Sequence, residues 1–353
     1  MFGQSTSREA LPNTGLRTRR SGLRSVAIIA GVAAIAASLA ACGSDSASDD
    51  SAGGDLTEVK VVAFKAPSLG AFLPAVIEDG KFDEKNGVDL KFTYATPDNY
   101  NSEFGAGHYD VGGSAALLSE ALRTERGADV TYLFNLFDFF GTVVTSDDSI
   151  KALTDLPGQS LAAATGTTNY AMFRWFAQQA GVELDKVKTV NQTTSGLSTM
   201  AQTGRTDATQ LWEPAYSTLV AKKPDIRTIE LDFARWQSEF GTSDIPYLGV
   251  AAQSAWAEKN PDTVKAMYET YKAAATWVME NPKDAAAVIA KTIPGGDAKV
   301  IQELIEQNDE RLRLRVLPAS EAADGIKAVF KAGQDSGYLK KAPPESVIYQ
   351  GLR

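Results

Sequence analysis

The sequence predicts an α/β protein built as two lobes, and three observations carry that expectation. Stretches rich in β-branched residues alternate with helix-like stretches from end to end, the pattern of largely parallel sheets covered by helices. The part with core-forming composition, from Leu56 to Arg353, is about 300 residues, long for one core and natural for two. The strand, loop, helix, strand pattern restarts after residue 140, so the halves repeat each other, with ligand-sized loops at strand C-terminal ends.

In the first half, Val59 to Phe64 reads as a strand that Pro67 and Ser68 break. Leu73, Pro74, Val76 and Ile77 start a helix that stops at Gly80. A second strand covers Val88 to Tyr94, and Pro97-Asp98 opens a short helix with Asp98 as its N-cap. Tyr109 to Val111 is a short strand ending in Gly112-Gly113-Ser114. Ala116, Leu117, Ala121 and Leu122 then recur at helical spacing before the apolar strand Val130 to Phe137.

The second half opens with the strand Gly141 to Thr145 and a turn region from Leu153 to Gly158. Leu161 to Ala164 is a strand, Gly166 begins a loop, and Ala171 to Gln179 is a helix. Strand Val187 to Val190, helix Leu197 to Gln202 and strand Asp207 to Leu211 follow. Trp212-Glu213-Pro214 turns into another helix, and Ile226 to Leu231 closes this half. Tyr247 to Ala252 leads into a mostly helical tail, where Asn260-Pro261 and Asn281-Pro282 place an N-cap before a first-turn proline. Val264, Met267, Tyr268, Tyr271, Ala275 and Val278 form one apolar stripe, the signature of core packing.

The N-terminal segment has a different character. Arg17, Arg19, Arg20 and Arg24 precede an uncharged apolar stretch, Val26 to Leu39, too short and alanine-rich for a comfortable spanning helix. Small residues lead to the single cysteine in Leu39-Ala40-Ala41-Cys42, so residues 1–41 read as a cleaved export signal. This ending resembles the bacterial lipobox. The resemblance implies cleavage before Cys42 and lipidation there, which anchors the exported protein on the outer face of the bacterial cell membrane. Residues 42–55, mostly Ser, Asp, Gly and Ala, are expected to be a flexible tether. Thr18-Arg19-Arg20 touches the twin-arginine export pattern, but Gly22 stands where a bulky apolar residue belongs.

Composition excludes several kinds of chemistry. The net charge of -9 becomes -13 once five arginines and one glutamate leave with the signal, against nucleic acid or anionic lipid as a partner. With Cys42 lipidated, neither a disulfide nor a thiol nucleophile remains. The one histidine, His108, lies in a Gly-His-Tyr-Asp turn, which leaves a Ser-His-Asp triad or a zinc site without support. No glycine-rich loop followed by Lys-Ser or Lys-Thr is present, which leaves a P-loop nucleotide site without support. No cofactor or metal is expected.

The run Leu73-Pro74-Ala75-Val76 with Gly80-Lys81-Phe82-Asp83-Glu84-Lys85-Asn86-Gly87-Val88 resembles the opening of a large family. These are the solute-binding lipoproteins of ABC importers for nitrate, sulfonates, taurine and thiamine precursors. The similarity continues through Gly107 to Gly112, Leu156 to Gln159, Ala164 to Thr168, Gly204 to Ala208, Trp212-Glu213-Pro214 and the Asn260-Pro261 helix, fading after Ile293. It implies a two-lobed type II periplasmic-binding-protein fold. Lobe one would combine residues 56–140 and 247–353, and lobe two residues 141–244, with a two-crossing hinge near Phe140-Gly141 and Asp244-Tyr247. It implies a monomer that passes a small-molecule solute to a permease with its own ATPase subunit.

Two loops look able to receive an anion, because helix N-termini carry unpaired N–H groups and a positive dipole end. They are Gly113-Ser114-Ala115 and Thr165-Gly166-Thr167-Thr168-Asn169, each read as following a strand and opening a helix. The resemblance puts them on opposite sides of a cleft, beside Ala66-Pro67-Ser68, although Ser and Thr there also serve as plain helix caps. It also puts Trp212 and Glu213 at the cleft mouth, where Glu213 either accepts from a ligand amine or locks the hinge. Phe139 and Phe140 line the cleft or fill the hinge core, and Asp138 needs a partner beside so apolar a strand. The set suits a sulfonate or taurine-like anion, with a thiamine-precursor pyrimidine or an aromatic carboxylate as alternatives. An enzyme of related fold and a sensor ectodomain are the remaining readings.

Overall fold

A computed structural model of the protein describes residues 56–352. The signal segment, Cys42 and the 43–55 stretch fall outside the described residues. In chain order, β1 (Thr57–Phe64), α1 (Phe72–Gly80), α2 (Phe82–Lys85), β2 (Val88–Ala95), α3 (Pro97–Gly105), β3 (Val111–Ala116), α4 (Leu117–Glu125) and β4 (Val130–Asp138) come first. Next come β5 (Thr142–Thr145), β6 (Ser160–Ala163), α5 (Thr168–Gln179), β7 (Lys188–Asn191), α6 (Thr194–Thr203), β8 (Ala208–Leu211), α7 (Ala215–Lys222), β9 (Arg227–Glu230) and α8 (Phe233–Phe240). The chain continues with β10 (Pro246–Gln253), α9 (Ser254–Lys259), α10 (Pro261–Glu280), α11 (Pro282–Thr292), α12 (Ala298–Glu306), β11 (Leu314–Pro318) and α13 (Ala323–Asp335).

The strands form two mixed sheets. The first has the order β11-β4-β10-β3-β1-β2 and the second β7-β6-β8-β5-β9. Pairs β1–β2, β1–β3, β6–β7 and β6–β8 are parallel, as successive strand–helix–strand units require. The antiparallel pairs involve strands at or beyond a passage from one sheet to the other: β5 against β8 and β9, β10 against β3 and β4, and β11 against β4. The expected α/β architecture is therefore present, with more antiparallel pairing than strict alternation suggests.

Burial follows the sequence pattern. Val61, Val62 and Ala63 of central β1 are fully buried, and every residue of β4 is buried. The stripe on α10 buries Val264, Met267, Tyr268, Tyr271, Ala275 and Val278, as its spacing predicts. Asn260 and Asn281 stand at the N-cap positions of α10 and α11 ahead of the first-turn prolines, but their side chains donate back to the Trp256 and Trp277 carbonyls and do not cap the helices they precede. The N-cap of α3 is Thr96, not Asp98: the Thr96 hydroxyl accepts from the Asn99 N–H, and Asp98 sits in the first turn, where the helix dipole favours a carboxylate.

The chain passes between the sheets twice, after Asp138 and before Pro246. The two passages touch: the Phe139 N–H donates to the Ile245 carbonyl at 2.7 Å. An aromatic cluster surrounds this point. Phe139 stacks on Phe176 at 6.2 Å between centroids and meets Tyr247 edge-on at 6.0 Å. Trp175 meets Trp236 edge-on at 5.1 Å, and Trp236 lies 4.4 Å from Phe240. The Trp236 Nε1–H also donates to the Asp244 carbonyl at 3.1 Å, fastening α8 to the second passage. Trp236→Ala is expected to cost about 3–5 kcal/mol of folding stability. Urea unfolding checks this, and a loss below about 1 kcal/mol would contradict so tight a packing.

Candidate functional site

The sequence-selected residues fall into three groups at the C-terminal ends of strands. The first joins the loop after β1 to β3. Ser68 caps a single 3-10 turn, Leu69–Ala71, its hydroxyl accepting from the Gly70 N–H at 3.2 Å, while Pro67 is exposed. Gly113, Ser114 and Ala115 do not open a helix: β3 continues through Ala116, and α4 starts only at Leu117. The Ser114 hydroxyl accepts from the Phe64 N–H at 2.8 Å and donates to the Gly70 carbonyl at 3.1 Å. A Cβ at Gly70 would collide with the Ser114 oxygen, so glycine is required there. Ser114 thus braces the loop, and its fully buried side chain is occupied on both sides.

The second group is the start of α5. Thr165 donates to Asn191 Oδ1 at 2.8 Å and Gly166 is exposed. Thr167 is the N-cap, accepting from the Tyr170 N–H at 3.3 Å. The N–H groups of Thr168 and Asn169 have no acceptor among the described residues, so the positive end of this twelve-residue helix keeps two free donors. This turn meets the first sheet's helices. The Thr168 hydroxyl lies 3.3 Å from that of Ser119 in the first turn of α4, and the Tyr338 hydroxyl donates to the Gly166 carbonyl at 3.3 Å. Asn169 Nδ2 donates to the Tyr247 hydroxyl at 2.7 Å, and Gln210 Nε2 donates to the Asn169 carbonyl at 2.8 Å. Asn169 Oδ1 and Gln210 Oε1 are buried without a donor.

The third group carries the carboxylates, and both are paired with arginine. Asp138 accepts from Asn135 Nδ2 at 3.0 Å and from Arg315 Nη1 at 3.3 Å. Glu213, 1% exposed, accepts from Arg311 Nε at 2.9 Å and Nη2 at 2.7 Å through Oε1, and from the Ser217 N–H at 3.1 Å through Oε2. Burial pushes both carboxyls above the ordinary range, against the pull of their arginines. Phe139 is fully buried in the passage core, whereas half-buried Phe140 packs on Tyr216 at 5.8 Å, and Trp212 is half-buried.

The sequence profile of the NMT1/THI5 like family matches residues 77–285, more than half of the chain. The chain belongs to this family. No curated protein sequence gives a significant match. Among solved structures it is similar to the periplasmic aliphatic sulphonate binding protein SsuA of Escherichia coli, with 18% identity, a TM-score of 0.66, and 82% of this chain and 96% of that one covered. It is similar to the alkanesulfonate-binding protein SsuA of Xanthomonas axonopodis pv. citri bound to MOPS, with 14% identity, a TM-score of 0.65 and 84% and 97% covered. A Candida albicans protein with the generic periplasmic binding protein fold shows 14% identity, a TM-score of 0.61 and 83% and 94% coverage. This NMT1/THI5-like chain therefore has the periplasmic-binding-protein fold.

Sequence reading missed several members of the site region of this NMT1/THI5-like chain: Ser119, Gln210, Tyr247, Arg311, Arg315 and Tyr338. Ser119 lies only five residues beyond Ser114, and moving the helix start to Leu117 would have revealed it. The arginines and Tyr338 return from more than ninety positions away, beyond any local spacing signal. Among the described residues no cluster of metal-ligating side chains exists, and no helix is long and apolar enough to cross a membrane.

Glu120, next to Ser119, is fully buried, and burial pushes its carboxyl up to about 7 despite the Arg123 guanidinium 2.8 Å away. A carboxyl raised in the folded state favours folding below its unfolded value near 4.5, and this contribution is lost as pH rises through about 7. Glu120→Gln should therefore gain stability relative to the parent as pH rises from 5 to 8, by about 3 kcal/mol at most. Denaturant unfolding across that range checks it, and a pH-independent difference would contradict it.

Proposed function

We propose that the protein is the extracytoplasmic solute-binding component of an ABC importer and captures a small organic anion, a sulfonate or taurine-like solute in the first instance. The observation that carries this reading is the meeting of two helix starts, α4 from one sheet's side and α5 from the other's, at Ser119 and Thr168. Two positive helix ends, with the free N–H groups of Thr168 and Asn169 on α5, favour an anion between them, and the carboxylates of the set, Asp138 and Glu213, are each paired with arginine. Membership of the NMT1/THI5-like family and the fold shared with sulfonate-binding proteins support the same reading.

In this proposal residues 56–140 with 247–353 form lobe one and residues 141–244 lobe two. The lobes open to admit the solute and close on it, and the loaded protein hands it to a permease driven by a separate ATPase. Cys42 carries the lipid anchor, and the protein works as a monomer without catalysing a reaction. Thr168, Asn169 and Ser119 are the anion-facing groups. Ser114 and Ser68 shape the neighbouring loop, while Phe140 and Trp212 border the opening. A pyrimidine solute is a second reading, favoured by Asn169 Oδ1 and Gln210 Oε1, two buried acceptors suited to ring amino groups.

Thermal shift and calorimetry with alkanesulfonates, taurine, nitrate, aromatic carboxylates and aminopyrimidines test the proposal. A solute at a hundredfold excess over its Kd should raise Tm by on the order of 5 °C. Stabilisation by neutral compounds alone, or turnover of any of them, would remove the anion-receptor reading. Thr168→Val should weaken sulfonate binding about ten- to a hundredfold, the loss of a hydrogen bond to a charged group. Ser114→Ala should instead reduce folding stability by about 1–3 kcal/mol and leave affinity nearly unchanged.

A further inference from the structure

The segment 307–315, in the region where the family resemblance fades, reaches across to the second sheet's elements with two arginines and holds the two passages with a third. Its backbone is tied to the first sheet: the Asp138 N–H donates to the Arg313 carbonyl at 2.9 Å, and β11 pairs with β4. Its conformation is closed on itself. A π-helical turn, Asn308–Leu312, ends with the Arg313 N–H donating to the Asn308 carbonyl at 2.7 Å, and Asn308 Oδ1 accepts from the Leu314 N–H at 2.8 Å. Arg313 itself adopts a left-handed backbone, φ 52°, which this turn imposes.

From this fixed base the side chains diverge. Arg311 reaches Glu213, donates to the Ser217 hydroxyl of α7 at 2.6 Å, and lies 4.6 Å over the Tyr216 ring. Arg313 lies 4.3 Å over the Phe233 ring of α8. Arg315 bridges Asp138 of the first passage and Asp244 of the second. A cation stacked on one ring and hydrogen-bonded in-plane to a carboxylate is fixed in both distance and direction.

We propose that residues 307–315 are an arginine strap that sets the resting angle between the two sheets, with the Arg311–Glu213 pair as its releasable clasp. The clasp is the part built to open. What separates the two is position, not exposure: Arg311, 20% exposed, joins the strap to α7 on the second sheet's side, whereas Arg315, 40% exposed, grips the two passages, which move least in any rotation about them. Glu213 follows β8 and precedes α7, so releasing it frees the second sheet's edge of the site while the passages stay joined. The strap biases the ratio of open to closed protein before any solute arrives.

Hydrogen–deuterium exchange of the full chain without ligand, combined with small-angle X-ray scattering, tests the strap independently of which solute binds. Arg311→Met should raise exchange at least tenfold in peptides covering residues 211–222 and 305–315, leave those covering 57–64 and 160–163 unchanged, and increase the radius of gyration. Arg311→Lys, which keeps charge but loses the forked contact and the stacking, should fall between Met and the parent. Unchanged exchange and scattering in Arg311→Met would overturn the proposal. A uniform rise in all peptides would also overturn it, because Arg311 would then serve only global stability. Should Arg311→Met fail to fold, Ser217→Ala and Glu213→Gln provide the same comparison with milder loss.

Discussion

The two sheets are held in one relation by a small knot where the chain passes between them. The Phe139 N–H bonds the Ile245 carbonyl, and Arg315 bridges Asp138 and Asp244 on either side of that bond. Such partly buried ion pairs add little net stability, because desolvation offsets most of the Coulomb attraction. They add direction instead: removing one partner leaves a charge that burial makes costly, so the two passages stay side by side. The aromatic cluster of Phe139, Phe176, Trp175, Trp236 and Phe240 fills the volume beside the knot and supplies the packing energy that it lacks.

This constraint decides what the rest of the molecule presents. With both passages fixed, the start of α5 is carried against the start of α4, and Thr168 meets Ser119. Neither helix start would be informative alone, since every helix has one. Their meeting brings two positive dipole ends together in a chain of net charge -9, while Asp138 and Glu213 are each paired with arginine. The amide oxygens of Asn169 and Gln210 add acceptors beside those donors, so the region offers both polarities within one small space.

Most of the element order was legible because burial and periodicity coincide in it. The strand Val59 to Phe64, the buried run Val130 to Phe137 and the α10 stripe appear as their patterns predict. The helix α8 was missed although Asp232 caps it and Phe233, Trp236 and Phe240 share one face, because an eight-residue helix between loop segments gives a short signal. The Ser114 reading failed for a physical reason: small residues after a strand resemble a helix-opening loop, and only tertiary pairing with β10 shows that the strand continues to Ala116. Asp138 reads from the sequence as needing a partner, and Glu213 as a ligand acceptor or hinge lock, but the arginines that pair with Glu213 and Asp138 lie 98 and 177 positions away in a segment without family landmarks.

The most direct measurement is a crystal structure of the protein with an alkanesulfonate that calorimetry has shown to bind. The account predicts sulfonate oxygens about 2.9 Å from the N–H groups of Thr168 and Asn169, on the side of α5 that faces α4, with the Arg315 bridge intact. A sulfonate bound elsewhere, with Ser119 and Thr168 still in direct contact, would contradict it.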